Sequence, residues 1–200
     1  MPPLPTLREP ITDGVVALRM SAEHDIPEVL IAYQDDPALH LRLGEARPPS
    51  GAELGRRCEQ AELRREAGES MMLSILEPGS DTCHGEIRVH NLDWQNLRAE
   101  LGVWVAVQRR GAGLARRALA LVAPWLLREC GLERVGLFTE ADNAAMISAA
   151  RGAGFRQEGT LRGYTLEQGR RVDNVALSLV RGDVLGAPGE EAGEPRGSAR

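Results

Sequence analysis

The 200-residue chain contains no lysine; its 24 basic residues are all arginine, set against 29 acidic ones. A Walker-type nucleotide loop ends in Gly-Lys-Ser/Thr, so no glycine-rich turn in this chain can be read that way. Cysteine is also sparse. Cys58, Cys83 and Cys130 are odd in number, far apart and without a Cys-x-x-Cys pair, which argues against a disulfide framework, a zinc site or a redox motif. Reduced structural thiols and no metal are expected. No apolar run approaches the roughly 18 residues a membrane helix requires, and the N-terminus lacks the charged segment, apolar run and cleavage site of a secretory leader. A cytoplasmic protein with no membrane partner is expected. Positive charge is not in surplus: the net charge of −5 and a pI near 5.5 argue against a general nucleic-acid binder.

The chain is 42% hydrophobic, enough for one domain to bury its own core at this length. Residues 1–13 hold four prolines and read as an arm laid on the domain or partly disordered. Residues 14–182 read as the folded domain, and from Gly186 to Arg200 a Gly, Pro, Glu, Ser and Ala composition reads as a disordered tail. Within the domain, strands are expected at 14–20, 70–76, 85–90, 99–107, 134–140, 155–166 and 171–180. Helices are expected over 21–34, from the Ser50 to Glu53 capping box to about Ala67, after Gly113, and over 143–151. Residues 35–49 read as loop. This order gives an α/β (α+β) fold with a mixed, mainly antiparallel twisted sheet of six to seven strands and about four helices.

The densest signal is Val103-Trp-Val-Ala-Val-Gln-Arg-Arg-Gly-Ala-Gly-Leu-Ala-Arg-Arg-Ala118, a strand running through a glycine turn into an amphipathic helix. Glycines allow a sharp turn, the unpaired N–H groups of the first helical turn point outward, and the helix dipole adds partial positive charge. That is an anion site. Arg109, Arg110, Arg116 and Arg117 crowd the positive end of the helix, where cations are normally disfavoured, and a bound polyanion would relieve the conflict. A dinucleotide fingerprint fits poorly, because Arg116 stands where the third small residue is needed for close helix packing.

Gln108-Arg-Arg-Gly111-Ala-Gly113 resembles the Gln/Arg-x-x-Gly-x-Gly/Ala coenzyme A signature of the GNAT superfamily of N-acyltransferases. Downstream, Asn143 to Gly154-Phe155, followed by Glu158-Gly-Thr-Leu-Arg162, is similar to a second segment of that superfamily in its RimJ/RimL branch, the ribosomal-protein N-terminal acetyltransferases and their relatives. The resemblance spans roughly residues 14 to 182. It implies a GNAT fold in which the strand before the turn and the strand before Asn143 splay apart around the acyl-pantetheine arm. Acetyl-CoA is the implied cosubstrate, with the acyl group near Val105. Implied coenzyme contacts are the backbone of Val105 and Val107, the amides of Arg109, Arg110, Gly111, Ala112, Gly113, Leu114 and Ala115, and the Asn143 side chain.

Acetyl transfer by direct attack requires a neutral amine and hence a proton acceptor. Glu100 is the first candidate base, on the strand face it shares with Trp104; an ordinary solvated glutamate is the bland alternative. Glu140 and Asp142 are further candidates, while His84 and His90 read as solvated surface histidines. Trp94 and Trp104 with Asp93, Glu86 and Glu100 form a candidate acceptor pocket, against the plainer reading of packing aromatics. Two positions depart from the family: Met146 stands where the RimJ/RimL branch has a serine, and Ala150 where many other members have a tyrosine, so no side chain matches the usual acid for the departing thiolate. The branch implies the α-amine of a protein N-terminus as acceptor, with an amino-bearing small molecule or antibiotic as the alternative; family habit admits a homodimer. A non-catalytic acyl-CoA-binding protein is the rival from another class.

Overall fold

A computed structural model describes residues 1–185; the expected disordered tail from Gly186 lies outside the described residues. The chain runs β1 (Ile11–Thr12), β2 (Ala17–Met20), α1 (Ile26–Asp35), α2 (Leu39–Arg42), α3 (Gly51–Glu66), β3 (Met71–Leu76), β4 (Gly85–Asp93) and β5 (Arg98–Val105). It continues with α4 (Leu114–Glu129), β6 (Arg134–Glu140), α5 (Ala144–Gly152), β7 (Arg156–Glu167), β8 (Arg170–Val180) and α6 (Arg181–Leu185). Among the described residues the strands form one eight-stranded sheet in the order β1-β2-β3-β4-β5-β6-β8-β7, in which β5 and β6 are the one parallel pair.

The strand beyond the expected count is β1. It comes from the proline-rich arm, where Ile11 and Thr12 pair with Leu18 and Ala17. Farther upstream Leu4 is fully buried, and its N–H donates to the Arg65 carbonyl at 3.0 Å. The arm is thus packed onto the domain, and its last residues belong to the sheet. The expected loop at 35–49 contains the single turn α2, whose Leu39 is buried against α1 and α3.

Local chemistry accounts for the longer helices. Ser50 caps α3, its Oγ accepting from the Glu53 N–H at 3.3 Å while Glu53 Oε2 accepts from the Ser50 N–H at 2.8 Å. In α4 the stripe Leu114, Ala118, Leu119, Val122, Ala123, Leu126 and Leu127 is buried, and the helix runs on through Pro124.

The alternation of β5 sorts two cores. Ala99, Leu101 and Val105 face a large cluster shared with α4, Ala150 of α5 and the inner residues of β3, β4, β6 and β8. Trp104 faces the other way, into a smaller cluster with Val29, Ala32, Tyr33, Leu39 and Leu54. The sheet is therefore covered by α4 and α5 on one face and by α1, α2 and α3 on the other. Among the described residues no helix is long and apolar enough to cross a membrane.

Candidate active site

Two neighbouring strands that part company create the opening at the centre of the sheet. β5 pairs with β4 along its length, from Arg98↔Asp93 to Val105↔Gly85. On its other edge it pairs with β6 only at Arg98↔Arg134, Ala99↔Val135 and Glu100↔Gly136, while β6 stays paired with β8 as far as Glu140↔Asn174. From Leu101 to Val105 the β5 edge facing β6 is therefore unpaired. Antiparallel ladders alternate bonded and unbonded residue pairs. The Ala106 N–H donates to the His84 carbonyl at 2.9 Å, and the Val105 carbonyl turns to the opposite edge, where Arg110 Nε donates to it at 3.0 Å. Val105 thus presents backbone to the wedge.

The strand ends at Val105, two residues earlier than its apolar pattern suggests, because Val107–Arg109 winds into a 3-10 turn. Val107 is consequently in the turn and 41% exposed, rather than on the strand edge. The N–H groups of Arg109 and Arg110 are used within the turn, donating to Ala106 at 2.8 Å and Val107 at 3.2 Å. Gly111 and Gly113 then take φ of 80° and 77°, a left-handed conformation that glycine enters freely. Gly113 is the cap of α4 and supplies no side-chain acceptor, so the amides from Gly111 through Ala115 have no protein partner among the described residues. A Cβ placed on Gly111 or Gly113 would meet nothing within 4 Å. The result is an open cradle of N–H donors at a helix N-terminus.

The arginines around it do not behave as their crowding suggests. Arg109 pairs with Glu77, Arg110 with Asp36, and Arg117 with Asp13 at 2.7 Å. Three of the four charges are thus already neutralised by the protein, and no bound polyanion is needed to explain them. Among the described residues only Arg116 of the four has no ion-pair partner; it is exposed, and its stem lies across Gly152 of α5. Asp36 also accepts from Arg42. Burial alone would raise its carboxyl, but Arg110 and Arg42 outweigh burial and hold it below the ordinary range.

Asn143 stands at the end of β6 beside the wedge, but its side chain is committed to the protein. Oδ1 caps α5 by accepting from the Met146 N–H at 3.1 Å, and Nδ2 donates to Thr139 Oγ1 at 3.0 Å and Glu140 Oε2 at 3.4 Å. Ser148 lines a separate hollow between α5 and the β7–β8 hairpin, with Ile147, Arg151 and Thr160.

Glu100 is not brought to the wedge. It lies among the three pairs where β5 and β6 are still joined, accepts from Asn91 Nδ2 at 2.9 Å, and is five residues, or about 16 Å of strand, from Val105. The expected acceptor pocket also comes apart. Trp94 packs on the large core with Nε1 donating to the Gly68 carbonyl at 2.8 Å, whereas Trp104 sits in the smaller core. Asp93 is held by Arg98 at 3.1 Å and by Asn96. His84 and His90 are half-buried rather than solvated, and burial pushes both imidazoles below their usual value.

The sequence pattern places Glu86 only among the acidic residues of the candidate acceptor pocket, yet the structure gives it a more particular environment. It sits on β4 opposite Trp104, one pair from Gly85↔Val105, and accepts from Trp104 Nε1 at 3.0 Å. Burial pushes its carboxyl up to about 7, with Asp25 adding to the rise and the Trp104 hydrogen bond and Arg57 opposing it. Nothing in the local sequence of β4 reveals this, because Trp104, Asp25, Glu45 and Arg57 all come from other parts of the chain.

Residues 16–156 match the model of the Acetyltransferase (GNAT) domain family. The chain is 30% identical over 146 residues, 70% of its own length and 79% of the relative's, to YdaF of Bacillus subtilis (strain 168), which is named as a ribosomal N-acetyltransferase. Among solved structures it resembles Mycobacterium smegmatis RimJ in complex with CoA-disulfide, with a TM-score of 0.74 and 22% identity over 86% of each chain. It also resembles RimL, a ribosomal L7/L12 α-N-protein acetyltransferase in complex with coenzyme A, with a TM-score of 0.75 and 18% identity, covering 86% of this chain and 98% of RimL. The two structural likenesses establish the shared fold, and with the match over residues 16–156 and the identity to YdaF they place the chain in the GNAT family of N-acetyltransferases.

Proposed function

We propose that the protein transfers acetyl from acetyl-CoA to the α-amine of a ribosomal protein N-terminus, by direct attack in a ternary complex in the cytoplasm. The observation that carries this reading is the wedge between β5 and β6, which opens onto the unpartnered amides from Gly111 through Ala115. The pyrophosphate fits that cradle, since five N–H donors and the helix dipole all favour an anion there. Arg116 adds the charge not already paired within the protein. The pantetheine arm runs along the free edge of β5, where its amides take the backbone hydrogen bonds that β6 leaves unmade. The Val105 N–H faces the same edge and stabilises the oxyanion that develops on the thioester carbonyl. Asn143 contributes by fixing the start of α5 at the wall of the wedge, and the domain doing this work takes in residues 14–182 together with β1 of the arm. The acceptor assignment rests on the relatives, whose names include enzymes of ribosomal proteins L7/L12 and S5.

Free-thiol release from acetyl-CoA tests this, measured across N-terminal peptides, polyamines and aminoglycosides while coenzyme binding is followed by calorimetry. Release that depends on N-terminal peptides is the expected outcome. Release with aminoglycosides or polyamines alone moves the acceptor to small molecules; binding without any release favours a coenzyme-binding protein, and absence of binding overturns the reading.

A further inference from the structure

A polar row crosses the sheet beneath α1 and α3: Arg19 of β2, Ser74 of β3, Glu86 of β4 and Trp104 of β5 stand in register on one face. Its outer half is closed on itself. Arg19 and Ser74 both turn to Asp25, at 2.7 Å and 2.6 Å, and Asp25 also accepts from the Ala22 N–H at 2.9 Å. The inner half is not closed. Glu86 takes one donor, Trp104 Nε1, although a carboxylate offers about four acceptor positions. The protein encloses it on most sides while its rim still meets solvent. A neutral glutamine would satisfy one indole N–H equally well, without the penalty of burying a charge. The carboxyl group therefore calls for a use beyond holding Trp104.

Resting on the acetyl-transfer reading above, we propose that Glu86, held by Trp104 one residue pair from Val105 at the mouth of the wedge, accepts the proton that the acceptor amine must lose. The ammonium gives one proton to the Glu86 carboxylate, and the nitrogen lone pair then attacks the thioester carbonyl to form the C–N bond. Collapse breaks the C–S bond, the electron pair leaves on sulfur, and the second nitrogen proton passes to the thiolate. Glu86 returns its proton to water, so one proton is released per turnover. The charged and titratable groups bearing on Glu86 are Asp25 before α1, Glu45 before α3, and Arg57 of α3; Tyr33 of α1, Cys58 of α3 and Cys83 just before β4 respond to its charge in turn. Arg57 is bound to Glu45 at 2.7 Å, which leaves its guanidinium partly neutralised.

The test is steady-state turnover of an N-terminal serine or alanine peptide from pH 5.5 to 9, with coenzyme A affinity measured calorimetrically on the same preparations. Glu86→Gln keeps an acceptor for Trp104 and is expected to fold, to bind coenzyme A as the wild type does, and to lose about 10²- to 10³-fold in kcat. Trp104→Phe removes a donor that favours the charged carboxylate, so the rise of kcat/KM should move to higher pH, a change that mere packing damage would not produce. A Glu86→Gln enzyme within threefold of wild-type kcat, or a pH profile unchanged in both variants, overturns the proposal. A wild type that binds coenzyme A but acetylates no peptide overturns the underlying peptide-transfer reading instead.

Discussion

The two faces of β5 are built from different materials. Toward α4 the molecule offers backbone: the free edge of the strand, two glycines in the left-handed region and a run of amides with no side-chain cap. Toward α1 and α3 it offers side chains gathered from distant parts of the chain, with Tyr33 donating to Glu45 at 2.9 Å, Arg57 paired with the same carboxylate, and Trp104 holding Glu86. A surface of amides grips whatever carries a phosphate and is indifferent to much of the surrounding sequence. A surface of side chains can be retuned one residue at a time, which, on the acetyl-transfer reading proposed above, suits the half of the site that must tell one amine from another.

Six substitutions would sharpen or break that contrast. Gly113→Glu places bulk and negative charge in the cradle and should abolish coenzyme A binding by calorimetry, a loss of more than about 100-fold. Gly113→Ala is its control, carrying only the left-handed strain of about 1–2 kcal/mol and retaining measurable binding. If Ala and Glu are equally damaging, conformation rather than the open space matters. Asp36→Asn removes the carboxylate shared by Arg42 and Arg110, and denaturant unfolding should show a loss of about 2 kcal/mol.

The arginines give a finer test. Arg116→Gln should weaken coenzyme A binding about tenfold at low salt, and less as salt rises, because its charge is free for the ligand. Arg109→Gln should change affinity less than about threefold, since Glu77 already answers that charge. Equal losses in the two variants would mean that the ligand displaces Glu77. Smallest of all, Glu100→Gln should leave turnover within about twofold of wild type, in keeping with its distance from Val105.

This contrast also explains what could be read from the chain directly. The turn from Val103 to Ala118 is local, so its glycines, strand and helix announce themselves within sixteen residues. The same locality misleads about charge: Asp13, Asp36 and Glu77, which neutralise Arg117, Arg110 and Arg109, arrive from elsewhere in the sequence. Glu86 and Glu100 look alike in an alternating strand pattern. Only the register of β4 against β5 and the helices laid over them separate the two. β1 is invisible in the sequence for a similar reason, since two residues make a strand only when Leu18 and Ala17 are there to pair with them.

Glu86 also carries a consequence for the stability of the protein. Its carboxyl binds a proton up to about pH 7 when folded, against an ordinary value of 4.5 when the chain is unfolded. Below pH 4.5 both states hold the proton and there is no penalty. As the pH rises from there to 7 the unfolded chain releases it while the folded protein does not, so folding loses about 3 kcal/mol, and the loss is complete once the folded group has ionised. Denaturant titrations should therefore find the wild type losing stability relative to Glu86→Gln between about pH 5 and 8, while His84 and His90, pushed down in the folded protein, act alike in both. Glu86 surrenders its own share of folding stability over the same interval in which it becomes able to take up a proton, so this one side chain sets activity against stability.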